Sequence, residues 1–321
     1  MWIAAVGLAF AACDKFLDVQ PRYVQDAENY FNQPEDYEMA LTAAYDLLQT
    51  SYLTQWIGEI ASDNAIAGGE SVTDTEGLHQ IENMTHNAVN NELRSVFRWN
   101  YAGIARVNYL MEFKDKINFE GKDQIIGQAR FLRAYYYFEL VKYFGDVPMV
   151  IDQRLGADEV TKLDRTPAAE VYAQMESDLR YASAVLPWSN PVKGRVDKGA
   201  ALALLGKVQL YQNKFTESAV TLDSVINFGG FALVENYADL WLDANEFNTE
   251  TVFDIEYSGL EGGSYGCFVC LEGNAAAGFN GIRQYDGPVY GDGNSYNLPT
   301  QDLHDAFDAA DPRRDVAVLD L

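Results

Sequence analysis

The apolar positions of this chain keep a helical rhythm as far as about residue 228 and then lose it. "PEDYEMALTAAYDLLQTSY" opens with Pro34, whose fixed φ suits a first helical turn. Glu35 and Asp36 then sit where a helix dipole is positive. Met39, Tyr45 and Leu48 recur at helical spacing, with the small Ala43 and Ala44 between them. A polar stretch rich in Gly, Asp, Asn and Thr, from about residue 61 to 90, reads as a loop. Further helices are predicted over "NELRSVFRWNYAGIARVNYLMEF", "KDQIIGQARFLRAYYYFELVKYFGDVP", "TPAAEVYAQMESDLRYASAVL", "DKGAALALLGKVQLYQ" and "KFTESAVTLDSVINFG". Gly145 and Pro148 stop the second of these.

Two features predict how the helices pack. Tyr135, Tyr136, Tyr137 and Phe138 are consecutive, so their rings point in every direction around one axis. A helix apolar on several sides has to be packed on several sides, as in a stack of helix pairs. Leu205-Gly206, Phe215 and the small Ser218 also stand roughly where a tetratricopeptide repeat places its Leu-Gly, second aromatic and packing alanine. Arg130 and Arg133, inside the aromatic helix, read as buried ion-pair partners.

From Phe231 the texture changes. "TVFDIEYSG" alternates Phe253, Ile255 and Tyr257 with Asp254 and Glu256, the period of a half-buried strand. Residues 259 to 297 are rich in Gly, Asn and aromatics and read as a long irregular surface. A last helix is predicted over "TQDLHDAFDAA". The expected class is mainly α: a tetratricopeptide-like helical scaffold with long irregular loops and a few short strands.

Charge narrows the function. Lys and Arg number 23 against 48 Asp and Glu, a net charge of −25. Such a chain repels phosphate, which disfavours nucleic acid, whereas neutral sugars meet no electrostatic penalty. The 20 Tyr and 5 Trp supply flat rings that stack on sugar faces and still hydrogen-bond. Most of those rings are expected in the core.

Several motifs carry little. Gly262-Gly263-Ser264-Tyr265-Gly266 has the G-x-S-x-G spacing of a nucleophile elbow, but the glycine-rich sequence after it does not make the required helix. Cys267 and Cys270 form a lone C-x-x-C without further ligands nearby, so they read as a local disulfide or as plain small side chains. "YGDGNSYN" has the texture of a calcium loop without a closing glutamate. With 48 carboxylates, no acidic pair stands out for glycoside hydrolysis. No metal, cofactor or catalytic residue is assigned, and the chain is read as a non-enzyme.

The apolar run Met1 to Ala12 is too short to span a bilayer and fits the apolar part of an export signal. Ala11-Ala12 before Cys13 resembles a bacterial lipobox, with Phe10 where leucine is usual and no basic residue ahead. Residues 1–12 are therefore read as the remnant of a signal peptide whose start lies upstream, and Cys13 as the acylated residue.

"ACDKFLDVQP", "GQARFLRAYYYFELVKYFGDVPMV", "VENYADLWLDANEFNTETVFDIEYSG" and "NLPTQDLHDAFDAADPRRD" together resemble SusD/RagB outer-membrane lipoproteins, in order along nearly the whole chain. The resemblance implies one domain over residues 13–321, short of the family's C-terminal portion. It implies lipid anchoring outside the cell on the outer membrane, and a SusC-type TonB-dependent transporter that receives captured glycan. Within it, the helical face packs on the transporter and the loop face holds the sugar. Ligand positions vary in such a family, so the candidates come from local chemistry: Trp56, Asp63 and Asn64 near the first irregular region, and Tyr265, Arg283, Tyr285, Tyr290 and Tyr296 in the second. The rings would stack on sugars, and the Asp, Asn and Arg groups would bind hydroxyls. The alternatives are a peptide-binding import lipoprotein of the same family and a helical-repeat scaffold for protein partners.

Overall fold

The computed structural model describes residues 29–257, 275–288 and 291–318. Its helices follow the sequence pattern closely. Helix α1 covers Pro34–Asp46 and runs through a 3-10 turn, Leu47–Thr50, into α2, Ser51–Ile60. The polar stretch after α2 is not only loop: it contains strand β1, Ala65–Ala67, and helix α3, Glu76–Glu82. Helices α4 (Asn91–Glu112) and α5 (Lys122–Phe144) follow, then the single turn α6 (Ala157–Val160). Helices α7 (Ala168–Val185), α8 (Lys198–Tyr211) and α9 (Phe215–Phe228) complete the regular part. Beyond them lie α10 (Ala276–Asn280), β2 (Asn297–Pro299), α11 (Gln301–Ala306) and α12 (Arg314–Ala317).

The long helices pack in order: α1 on α4, α4 on α5, α5 on α7, α7 on α8 and α8 on α9. Each touches the one before and the one after, the arrangement of a solenoid. Helix α5 lies at the centre, with Tyr136, Tyr137 and Phe138 all buried and Tyr135 packed at the margin of the same core. Successive rings there reach different neighbours. The Tyr136 hydroxyl donates to the Ala44 carbonyl at 2.6 Å, and the Tyr137 hydroxyl to that of Val150 at 3.0 Å.

In the last helix pair, a Cβ at Gly206 would stand 2.5 Å from the Leu222 side chain, so Leu222 packs into the space that glycine leaves open. Ser218, 2% exposed, donates to the Gly206 carbonyl at 2.8 Å across the same contact. Phe215 is 62% exposed and takes no part in that packing.

Buried charge ties the array together. Arg133 donates through Nε and Nη2 to the two oxygens of Asp178, both at 2.8 Å, and through Nη1 to Asp152 at 2.5 Å. Lys114 bonds the other Asp152 oxygen at 2.9 Å. Burial works against charge on Asp152, but hydrogen bonds from Arg133 and Lys114 outweigh it and hold the carboxyl below its ordinary range. Arg130 lies over the Tyr181 ring at 4.1 Å and 3.9 Å from Asp178.

Three expectations are corrected. Met39 is 51% exposed, and α1 buries Tyr37, Ala40, Leu41 and Ala44 instead. Residues 253–257 form no regular element and join no strand ladder; Phe253 packs edge-on against Phe131 with ring centres 5.5 Å apart. That apolar face rests on helices, so its alternation reflects burial without a β partner. The last predicted helix ends at Ala306, because Phe307 is already extended (ψ 136°).

Candidate functional site

The two irregular regions, far apart in sequence, are stitched into one surface. Strand β1 pairs antiparallel with β2 in the register Ala65↔Pro299, Ile66↔Leu298 and Ala67↔Asn297. At one end Thr300 donates its N–H to the Asn64 carbonyl and its hydroxyl to that of Asp63, both at 2.9 Å. The same hydroxyl accepts from the Leu303 N–H at 3.1 Å, so one side chain closes the ladder and caps α11. At the other end the Gly68 N–H donates to the Tyr296 carbonyl at 3.2 Å. A Cβ at Gly68 would lie 2.0 Å from the Ser295 carbonyl oxygen, so only glycine fits there.

A small second core carries this surface. Leu53, Trp56, Ile57 and Ile60 of α2 bury their helical face against Leu78, Ile81, Val96 and Phe279. Trp56 is 2% exposed, covered by Phe279 on one side (centres 3.6 Å apart, planes 3° apart) and Tyr52 on the other (5.0 Å). Both its faces are taken, so it cannot stack on a sugar. Trp56 supports the site without being a contact. The Leu53–Trp56–Ile57–Ile60 spacing was the signal, since it puts the ring on the buried stripe. Beside it Asn297, 7% exposed, donates to Glu59 at 2.5 Å and to Asn280 at 3.1 Å, locking the start of β2 to α2 and α10.

The remaining candidates divide along the ladder. Asp63 and Asn64 are exposed beside Thr300. Arg283, Tyr285 and Tyr296 are half-buried and belong to the other end. Three paired residues at about 3.3 Å each separate the two groups by roughly 10 Å. Arg283 reaches across to the first region, donating to Asp74 at 3.0 Å with Glu70 at 3.8 Å. Asp74 also accepts from the Glu70 N–H at 3.0 Å, so it orders its own loop while holding the other. Asp74, Glu70, Glu59 and Asn297 help build this surface, and the sequence reading did not single them out. A single arginine facing an acid-rich loop was the available hint. The Tyr285 ring packs where a Cβ of Gly287 would be, 2.1 Å from its hydroxyl, and Tyr296 touches Phe279 edge-on at 5.3 Å. Cys13, Tyr265, Tyr290, Cys267 and Cys270 lie outside the described residues. Among the described residues no helix is long and apolar enough to cross a membrane.

The ladder thus has half-buried tyrosines and a pinned guanidinium toward one end, and exposed Asp and Asn side chains at the other. It suits a ligand with apolar C–H faces and hydroxyls. The molecule is thus a helical-repeat scaffold that carries a composite loop surface. Residues 15–210 match the SusD-like family model described as starch-binding and associating with the outer membrane, and the chain belongs to that family. Among curated relatives, a SusD-like protein P2 of Formosa agariphila is 26% identical over 94% of this chain and 60% of its own. A SusD-like protein of Bacteroides ovatus is 26% identical over 89% of this chain and 55% of its own. The chain therefore spans little more than half the length of these two relatives. A solved laminarin-binding SusD-like protein superposes with a TM-score of 0.80 at 30% identity, over 88% of this chain and 65% of that one. Surface glycan-binding protein A from Bacteroides thetaiotaomicron, in complex with laminarihexaose, shares the fold at TM-score 0.75 and 21% identity, over 88% and 62%.

Proposed function

We propose that this chain is the glycan-capturing lipoprotein of an outer-membrane import pair. It hangs outside the cell from an acylated Cys13, binds an oligosaccharide on the loop surface, and passes it uncleaved to a SusC-type TonB-dependent transporter. The observation that supports this reading is the β1–β2 stitch, which joins the two irregular regions that hold Asp63, Asn64, Arg283, Tyr285 and Tyr296 in a chain of the SusD-like family. The laminarin-binding neighbour supports a glucan as ligand. Tyr265 and Tyr290 belong to the same reading by sequence position.

Calorimetric titration with laminarihexaose and with malto-, cello- and xylohexaose tests it. Saturable binding to at least one, with the sugar recovered intact, is expected. Tyr285→Ala together with Tyr296→Ala should weaken it roughly tenfold or more, at about 0.5–1.5 kcal/mol per lost stack. Silence across all four with binding to peptides instead would move the assignment to peptide import.

A further inference from the structure

Away from the loop surface, two adjoining cavities open between the turn at residues 188–195, helix α1 and the irregular segment 247–257. They enclose about 300 and 570 Å³, within the roughly 300–1,000 Å³ usual for small-molecule sites. Lys193, Arg195, Phe247, Phe253 and Asp254 border both, so they form one cleft.

Its walls are held from behind. The Tyr45 hydroxyl donates to Gln128 at 2.8 Å and accepts from the Val196 N–H at 3.0 Å. The Arg195 guanidinium lies over the Tyr45 ring at 4.6 Å and donates through Nη2 to Thr42 at 2.8 Å. Tyr257 donates to the Gln49 carbonyl at 2.8 Å. Such a site is preorganised, which spares a ligand the ordering cost.

The cleft also carries hydrogen-bonding capacity that the described residues leave unmet. Arg195 Nη1 and Gln49 Oε1 are buried without a partner there, and Gln49 as a whole is 9% exposed. Lys193 has no ion-pair partner among the described residues and stands 5.5 Å from the Phe247 ring centre. Phe247 itself has φ +54°, a left-handed conformation that a bulky side chain rarely adopts and that clusters at binding sites.

Donors, acceptors and ring faces stand side by side, and charges of both signs border the space. A free anion would meet Asp254, and a cation would meet Lys193 and Arg195. A neutral ring with a C–H face, whose hydroxyls both donate and accept, suits every group. We propose that this cleft is a second carbohydrate site, distinct from the loop surface, with a neutral sugar ring stacked on Phe247 or Phe253 and hydrogen-bonded to Lys193, Arg195 and Asp254. The choice of ligand class rests in part on the glycan-binding reading above.

A column of rings joins the two places. Tyr257 stacks on Tyr52 at 4.1 Å, Tyr52 on Trp56 at 5.0 Å, and Trp56 on Phe279 at 3.6 Å, with Tyr296 beyond. Both sites therefore ride on one packed body. A glycan long enough to reach both is bound the second time intramolecularly.

The test counts sites by calorimetry on the full chain, using the same four hexaoses and laminarin. The variants are Phe247→Asn, which tolerates a left-handed φ, the exposed Lys193→Ala, and Tyr285→Ala with Tyr296→Ala, each checked for wild-type circular dichroism. Two sites are expected for a bound hexaose, with the cleft variants removing one and the tyrosine pair the other. The cleft variants should also weaken laminarin at least fivefold. A single site untouched by the cleft variants overturns the proposal and leaves the loop reading standing. A single site lost only with the cleft variants upholds the proposal and overturns the loop assignment. No binding of any of these sugars overturns both.

Discussion

The helical array and the loop surface each hold an arginine with carboxylates, by opposite means. Arg133 is 1% exposed, its guanidinium divided between a fully buried Asp178 and Asp152, so three separate segments of the array are locked by one side chain. Arg283 is 28% exposed and pins two loops through Asp74 and Glu70, with Nε lacking a partner among the described residues. Burial decides the difference. A charge taken out of water has to be matched completely, so the first network fixes the packing of the array. A half-exposed pair is screened and exchangeable, so the second can hold loops together and still give way to a ligand.

Arg133→Ala should have the largest effect, because it strands Asp178 in the core. A loss of about 3–5 kcal/mol is expected, read by urea unfolding. A loss under about 1 kcal/mol would erase the contrast with Arg283. Acid should act on the array in the same sense. Burial opposes charge on Glu176, but hydrogen bonds from Lys214, Gln212 and Arg180 outweigh it, so its carboxyl, like that of Asp152, is held below its ordinary value. Groups of this kind stabilise fully above their unfolded values, 4.5 and 3.8 here, and lose the contribution as pH falls through the lower folded ones. Thermal unfolding from pH 7 to 3 should therefore stay level and then drop below about 4.5, less steeply in Arg133→Ala.

Phe279→Leu removes the stack on Trp56 and should cost about 1 kcal/mol. Faster amide exchange is expected over residues 275–300, with none in α5 or α7; exchange that quickened throughout would mean the two cores are one cooperative unit. Arg283→Ala should be the mildest, about 0–1 kcal/mol by the same urea measurement. A larger loss would show that the loop pair is structural after all.

The array was legible because its information is local. Periodicity located α4, α5, α7, α8 and α9 to within a residue or two, and the run of rings on α5 announced packing on several sides. Met39 faces outward because α1 turns its Tyr37–Leu41–Ala44 stripe inward, and periodicity alone does not tell which of two apolar stripes is buried. The site was half legible. Two stretches could be recognised as irregular surface, but nothing local showed that they meet. Strands of three residues leave no period to detect, and the Thr300–Asp63 and Arg283–Asp74 contacts join residues 237 and 209 apart. Trp56 stands close to a loop, but the buried stripe of α2 to which it belongs decides its role.

The β1–β2 stitch also sets an order of events on the ribosome. Helices α1 to α9 are complete by residue 228, and each needs only its neighbours, so the coil can assemble while translation is still under way. Strand β1 emerges early with its edge unpaired and waits for residues 297–299 before it finds its partner. A polypeptide released before that point would carry the helical array without the paired loop surface, which forms only once both distant segments are present.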